Sequence, residues 1–309
     1  MSQYKTIHHH HHHFGWDNAL KPVLRVEPGA ELEVHTVDSS GGQLSATSTA
    51  EDVAKLDFEK VNPVTGPIYI EGAEPGDAVA VDILDFTESG WGWTGIIPGF
   101  GLLAEEFTDP LLNISRYDAK RVEFQPGIHI PTRPFTGTIG LALREPGNHS
   151  VVPPRQQGGN MDIRDLTRGS RLYLPVAVPG GLLSIGDTHA AQGDGEVCGT
   201  AIETAMTVKV RLGLIKNAEF PSPRYELGAE FATEPYPKGF YGTMGVAPDL
   251  LQATKTAVYA MIDHLTTEYG MDPDLAYALC SVAVNLRISE VVDAPNWVVS
   301  AVLPRHIFV

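Results

Sequence analysis

Pro22-Val23-Leu24-Arg25-Val26-Glu27-Pro28-Gly29-Ala30-Glu31-Leu32-Glu33-Val34-His35-Thr36-Val37 contains an apolar run, a Pro-Gly turn and a period-two alternation. Alternate side chains point to opposite faces of an extended segment, so the second run is the mark of a half-buried strand. The same layout returns at Gly66-Pro67-Ile68-Tyr69-Ile70, Glu74-Pro75-Gly76-Asp77 and Ala78-Val79-Ala80-Val81-Asp82-Ile83-Leu84, and again around Thr138-Ile139-Gly140-Leu141-Ala142. Short strands parted by Pro-Gly turns favour a sandwich or barrel over an alternating strand-helix array. No long helical pattern precedes residue 245.

The C-terminal part changes period. After Pro248-Asp249, the residues Leu250, Thr254, Ala257, Val258, Met261, Ile262 and Leu265 follow helical spacing up to Gly270. Asp at the cap and Gly at the stop bound that helix. Asp272-Pro273 opens a second one through Leu275, Ala278, Leu279 and Val282, with Pro at the first helical position. Ile288 to Val292 and Trp297 to Leu303 read as closing strands, and His264 falls where a helix dipole and packing suit it. The fold class is therefore mainly β with an α+β C-terminal portion: a sandwich- or barrel-like N-terminal part and two helices near the C-terminus. The parts fall at 1–13, an N-terminal segment carrying the His8 to His13 run; 14–140, the β-rich sandwich; and 141–309, the part carrying most of the site. The His run reads either as an appended tag or as native chain.

Composition narrows the class. The chain has 309 residues, a formal net charge of −16 and 43% hydrophobic residues, enough apolar material for a large core. No apolar run reaches the roughly 18 residues that span a bilayer, and the N-terminus lacks the apolar stretch of a secretory signal. An acidic balance without Lys/Arg clusters argues against a nucleic-acid binder. Two cysteines, Cys198 and Cys280, make neither a disulfide framework nor a Cys-based zinc site. The expectation is a soluble, cytoplasmic protein with no membrane or nucleic-acid partner.

The densest polar stretch is Gly186-Asp187-Thr188-His189-Ala190-Ala191-Gln192-Gly193-Asp194-Gly195-Glu196-Val197-Cys198-Gly199-Thr200-Ala201-Ile202-Glu203, set between two apolar runs. Asp187 and His189 share a face if extended, and Asp/His sets suit zinc or a similar divalent ion. A nearby carboxylate, here Glu196, is the usual base for a water activated by such an ion. Asp38, at the end of the alternating strand in Val37-Asp38-Ser39-Ser40-Gly41-Gly42-Gln43, is a candidate third ligand. Gly158-Gly159-Asn160-Met161-Asp162, with His149 upstream, could hold an amide through backbone N–H groups and the Asn160 side chain. Trp91-Gly92-Trp93-Thr94-Gly95-Ile96-Ile97-Pro98-Gly99-Phe100-Gly101 is an exposed-looking segment able to wall a small pocket. Gly-x-Ser-x-Gly, Gly-x-Gly-x-x-Gly and P-loop patterns are absent. Cys198 remains open as a nucleophile.

In those blocks, together with Phe14-Gly15-Trp16-Asp17-Asn18 and Gly66 to Asp77, the sequence resembles the acetamidase/formamidase family. The blocks run in order from residue 14 to about 210. The resemblance implies hydrolysis of a small amide to carboxylate and ammonia, a β-rich fold, and a homodimer or higher homo-oligomer. It also implies that His11 to His13 are partly native. There is no likeness to the nitrilase-type formamidases with their Glu-Lys-Cys set. The resulting expectation is a metal-dependent amidase acting on formamide, acetamide or related amides, cyclic ones (lactams) included. Asp38, Asp187 and His189 hold a divalent ion, with zinc first; Glu196 and His149 are catalytic. Asn160, Asp162, Gly159 and Trp93 bind substrate. Two alternatives stay open: a cysteine amidase using Cys198, and a non-catalytic β-sandwich that binds a small ligand beside a structural metal.

Overall fold

The computed structural model describes residues 4–231 and 235–308. Two large sheets pack on one core. The larger has nine strands in the order Lys5–Ile7, Glu31–His35, Met206–Ile215, Ala78–Glu88, Ser170–Pro175, Arg224–Leu227, Phe240–Ala247, Trp297–Pro304 and Asn285–Glu290. The second runs Gly158–Asn160, Phe135–Gly140, Leu183–His189, Val64–Ile70 and His12–His13, with Leu24–Val26 added parallel to Val64–Ile70. Leu32, Val34, Val81, Ile83, Val208 and Val210 from the first sheet share a buried cluster with Ile68, Ile70, Ile139, Leu183 and Ile185 from the second. The alternation read at Glu31 to Val37 is realised as intermediate and buried positions in turn, with Leu32 and Val34 fully buried. Strands from before and after residue 140 stand side by side in both sheets.

A four-stranded antiparallel sheet (Ile128–Pro131, Arg121–Gln125, Leu111–Tyr117, Trp91–Ile96) flanks this sandwich. Its last strand corrects the reading of the Trp91 segment as exposed: Trp93 is 2% exposed and packs with Leu44, Val53 and Ile97. The His run is also built into the fold. His12 and His13 pair with Thr65 and Val64, and His13 Nε2 lies 2.9 Å from Ser184 Oγ.

The two C-terminal helices span Leu250–Tyr269 and Pro273–Ala283. Asp249 accepts from the Gln252 N–H and Asp272 from the Asp274 and Leu275 N–H groups, while Gly270 ends the first helix at φ 62°. These are the caps the sequence announced. Ala253, Ala257, Met261 and Leu265 lie against Tyr241, Val299, Ala301 and Leu303 of the larger sheet. Gly245 permits that approach, because a Cβ there would stand 1.9 Å from the Ala253 carbonyl oxygen. Among the described residues no helix is long and apolar enough to cross a membrane.

His264 departs from the helix-dipole reading. Its ring stacks on Tyr241 with centroids 3.6 Å apart, and burial, then Arg224 and Arg305, push its pKa down to about 4, against a weaker pull from Asp263. It is neutral in the fold and acts by packing. The unfolded chain takes up a proton near pH 6.5 that the folded chain refuses until about pH 4, so stability falls as pH drops through that window. His264→Phe is expected to flatten this dependence, checked by urea denaturation of both proteins at pH 7 and pH 4.5; parallel losses would remove His264 as its source.

Candidate active site

The strand Leu183–His189 lies between Phe135–Gly140 and Val64–Ile70 and delivers two of the expected site residues at its end. His189 is fully buried, and the Phe135 ring meets it edge-on at 4.9 Å. Its Nε2 lies 3.1 Å from both Asp187 Oδ1 and Glu203 Oε2, and 4.0 Å from Glu196 Oε1. Its Nδ1 faces Gln192 Oε1 at 3.0 Å, while Gln192 Nε2 donates to the Asp162 carbonyl. A glutamine oxygen can only accept, so Nδ1 carries the proton and the Nε2 position points into the carboxylates.

Four buried acids stand within 4.0 Å of this one imidazole, Asp162, Asp187, Glu196 and Glu203, and the buried Glu290 and Asp293 extend the cluster beside Asp162. Burial works against the charge on His189, but Glu203 and Asp187 overcome it and hold the imidazole well above its usual pKa. Burial likewise opposes ionisation of Asp187, and the His189 charge wins, holding that carboxyl low. Elsewhere desolvation prevails. Glu196 is pushed well above the carboxylate range by burial and then by Asp162, and Asp293 by burial and then by Asp162 and Glu290. Glu290 rises to about 7 by burial.

The donor set fits a divalent cation. Both oxygens of Asp162 are buried without a hydrogen-bond partner, and burial, then Asp187, push this carboxyl well above the usual carboxylate range; a cation facing it would favour the ionised form. Two sets of three side chains, Asp162/His189/Glu196 and Asp187/His189/Glu203, each bring ligand atoms within 4.8 Å of one another. Both contain His189, whose Nε2 is the nitrogen facing Asp187 and Glu203. The two 3.1 Å separations there are close to the roughly 3.3 Å edge of a tetrahedral zinc site, which favours Asp187, His189 and Glu203. Four site residues hold left-handed backbone without being glycine: Asn62 (φ 51°), Asp162 (46°), Asp187 (51°) and Glu196 (48°). Such conformations cost energy and persist where the surroundings impose them.

Asp187, His189 and Glu196 are thus brought together as the sequence suggested, whereas Asp38 is not. Its carboxylate accepts from Trp93 Nε1 at 2.8 Å, from Ser40 Oγ at 2.9 and 3.0 Å, and from the Gly42 N–H at 2.9 Å. Occupied on both oxygens, it belongs to neither ligand set; its contact is to the pocket wall through Trp93. Glu203 stands in the place expected for it. Asn160 lines the pocket, with Nδ2 donating to Asp293 Oδ2 at 2.6 Å and Oδ1 accepting from Asn62 Nδ2 and Thr138 Oγ1. Asp162 lies behind the wall among the acids, and Gly159 is engaged in strand pairing with Ile139. His149 is elsewhere: it pairs with Trp16, its Nε2 faces the Glu145 carbonyl, and it lines a separate groove of about 780 Å³. Cys198 Sγ hydrogen-bonds to Thr200, and Cys198 lines another recess.

Glu203, Asp293, Glu290, Asn62 and Thr138 were not assigned from sequence. Glu203 closes the polar stretch itself, and its backbone pairs with Trp93. Asp293 and Glu290 arrive from far along the chain because the Gly195 N–H donates to the Ser289 carbonyl. No spacing rule could have signalled them. The pocket over the acids measures about 250 Å³.

Family models of known proteins match this chain over residues 1–146 and 143–309, in both cases as the acetamidase/formamidase family. The chain belongs to the acetamidase/formamidase family. It is 31% identical to a formamidase of Methylophilus methylotrophus, over 95% of this chain and 88% of the relative. Its fold matches a crystal structure of an acetamidase from Bacillus halodurans with TM-score 0.89 at 30% identity, over 98% of both chains. A gamma lactamase from Delftia acidovorans matches with TM-score 0.69 at 29% identity, over 96% of this chain and 89% of that one. Family membership supports the amidase reading and favours neither the cysteine mechanism nor the non-catalytic binder.

Gly137 shows how tightly the acids are held. A Cβ there would stand 2.3 Å from Asp162 Oδ1, 2.7 Å from Asp187 Oδ2 and 2.8 Å from His189 Cε1. Gly137→Ala is therefore expected to weaken divalent-cation binding about 10- to 100-fold, the range seen when ligand orientation is disturbed, with the β-rich circular dichroism spectrum retained. Competition with a chromophoric chelator measures it, and unchanged affinity would place the metal elsewhere.

Proposed function

We propose that this pocket hydrolyses small amides to a carboxylate and ammonia, and that Asp187, His189 and Glu203 hold a divalent cation, with zinc first. The observation carrying the reading is the single imidazole whose Nε2 faces two buried carboxylates at 3.1 Å, beside an Asp162 with no hydrogen-bond partner on either oxygen. When bound, the cation supplies Lewis acidity toward the amide carbonyl and acidifies water to near neutrality.

The chain's own groups do the rest. Gln192 keeps the His189 proton on Nδ1, and Ser39 Oγ and the Ala201 N–H, both at 2.7 Å, fix the Glu203 carboxylate. Burial and Asp162 hold Glu196, on the pocket wall, toward its neutral form; a cation held beside it would favour its carboxylate, which would then take the proton from the attacking water. It passes that proton to the departing nitrogen as the C–O bond forms and the C–N bond breaks, because ammonia leaves readily only when protonated. Asn160 keeps one amide hydrogen for the substrate carbonyl beyond the one given to Asp293. Trp93, clamped by Asp38, walls the acid end against water. A cytoplasmic location and a homo-oligomeric state belong to the same proposal and rest on the sequence and the family likeness. Lactams present the same reacting group, and the fold shared with a gamma lactamase keeps them within the proposed range.

Treatment with a strong chelator is expected to abolish ammonia release from acetamide, and zinc to restore it; full turnover by metal-free protein would end the metal role. Glu196→Gln is expected to retain zinc while losing about 10²- to 10⁴-fold in kcat, and a rate near that of the parent would remove Glu196 as proton carrier. Alkylation of Cys198 is expected to leave the rate unchanged.

A further inference from the structure

We infer that the preferred substrate carries an apolar acyl group of about six carbons, or a single aromatic ring, in place of the one- or two-carbon group of formamide or acetamide. This rests on the amidase reading above and concerns the same pocket. At roughly 30 Å³ per water-sized heavy atom, the 250 Å³ pocket accommodates about eight such atoms, and acetamide fills about half of that. The space left over is not polar. Leu56, Phe58, Val61, Ile97, Phe100 and Val152 supply wall beyond the acids, and the accessible lining is overwhelmingly apolar. Phe58 is 53% exposed, and its ring meets that of Phe100 edge-on at 6.5 Å. A two-carbon acyl group leaves this wall wet, whereas a longer one dries it.

The chemistry sets the orientation. The departing nitrogen gains positive character as it is protonated, which buried carboxylates favour and an apolar wall opposes. The nitrogen therefore belongs at the acid end, among Asp187, Glu196, Glu203 and Asp293, and the carbon chain against the apolar wall. Phe100 also sets the length limit, because a second apolar recess of about 370 Å³ lies on its other side, lined by Ile96, Leu102, Leu103, Phe107 and Val197.

The test is a kcat/KM series on the metal-loaded protein with acetamide, butanamide, hexanamide, octanamide, benzamide and N-butylacetamide, following release of ammonia or butylamine. Each buried methylene is worth about three- to fourfold, so hexanamide and benzamide are expected to exceed acetamide on the order of 100-fold. N-butylacetamide is expected to fall below hexanamide. Acetamide equal to or above hexanamide, or N-butylacetamide above it, overturns the inference and leaves the amidase reading intact; no turnover of any amide overturns both. Phe58→Ser, on an exposed turn, is expected to lower hexanamide about tenfold relative to acetamide. Phe100→Ala is expected to move the optimum from hexanamide toward octanamide. Unchanged length profiles in both variants would mean that these walls do not touch the acyl group.

Discussion

A cluster of six buried carboxylates holding a single buried imidazole is the constraint on which the rest of this protein depends. Such a group of like charges cannot all ionise in a low-dielectric interior. The structure answers in two ways: His189 pairs with Asp187 and Glu203, while Glu196, Asp293 and Asp162, the last without a hydrogen-bond partner, are held toward their neutral forms. A cation entering this arrangement removes its largest unfavourable term. The same acids that destabilise the unliganded fold therefore define what it binds.

Holding them in place falls to rigid elements. Asp187 and His189 lie at the end of a strand with neighbours on both sides, and Thr138 on the adjoining strand reaches both Asn160 and Asp187. Glu203 is tied by its backbone to Trp93, whose indole is tied to Asp38. Pocket wall and acid floor are thus tied to each other. Sites built on strands and locked by surrounding hydrogen bonds keep their geometry better than sites on free loops. Gly137 and the left-handed Asp162, Asp187 and Glu196 mark the backbone cost of packing so many side chains into one small volume.

Much of the architecture could be read in advance because it is local. Period-two runs ending in Pro-Gly gave strands, and an Asp cap followed by helical spacing and a Gly stop gave the helix Leu250–Tyr269. The polar stretch from Gly186 to Glu203 announced itself by lying between two apolar runs, and Asp187, His189 and Glu196 within it do converge. The misplacements have one cause. Asp38 lies at a strand end beside glycines, as a ligand would, yet its lone pairs are spent on an indole and a turn from its own segment. His149 stands eleven residues before Asn160 in the chain but on a different surface. Trp93 looked exposed beside its glycines, and the flanking sheet buries it.

The amino-acid sequence by itself determined the β-rich class, the two C-terminal helices, the family and the polar loop whose acids converge on His189, since each is written in neighbouring residues by periodicity, capping or motif. Only the tertiary structure decided which carboxylates face His189. Glu203 reaches it through a bridge to Trp93, and Glu290 joins the cluster through the pairing with Gly195, contacts that no spacing along the chain encodes. It also decided that the pocket above the acids is larger and more apolar than a two-carbon amide needs, because that wall is assembled from segments around residues 58, 97 and 152. Ligand sets and cavity shapes are properties of side chains converging from distant strands, and convergence exists only once the sheets have packed.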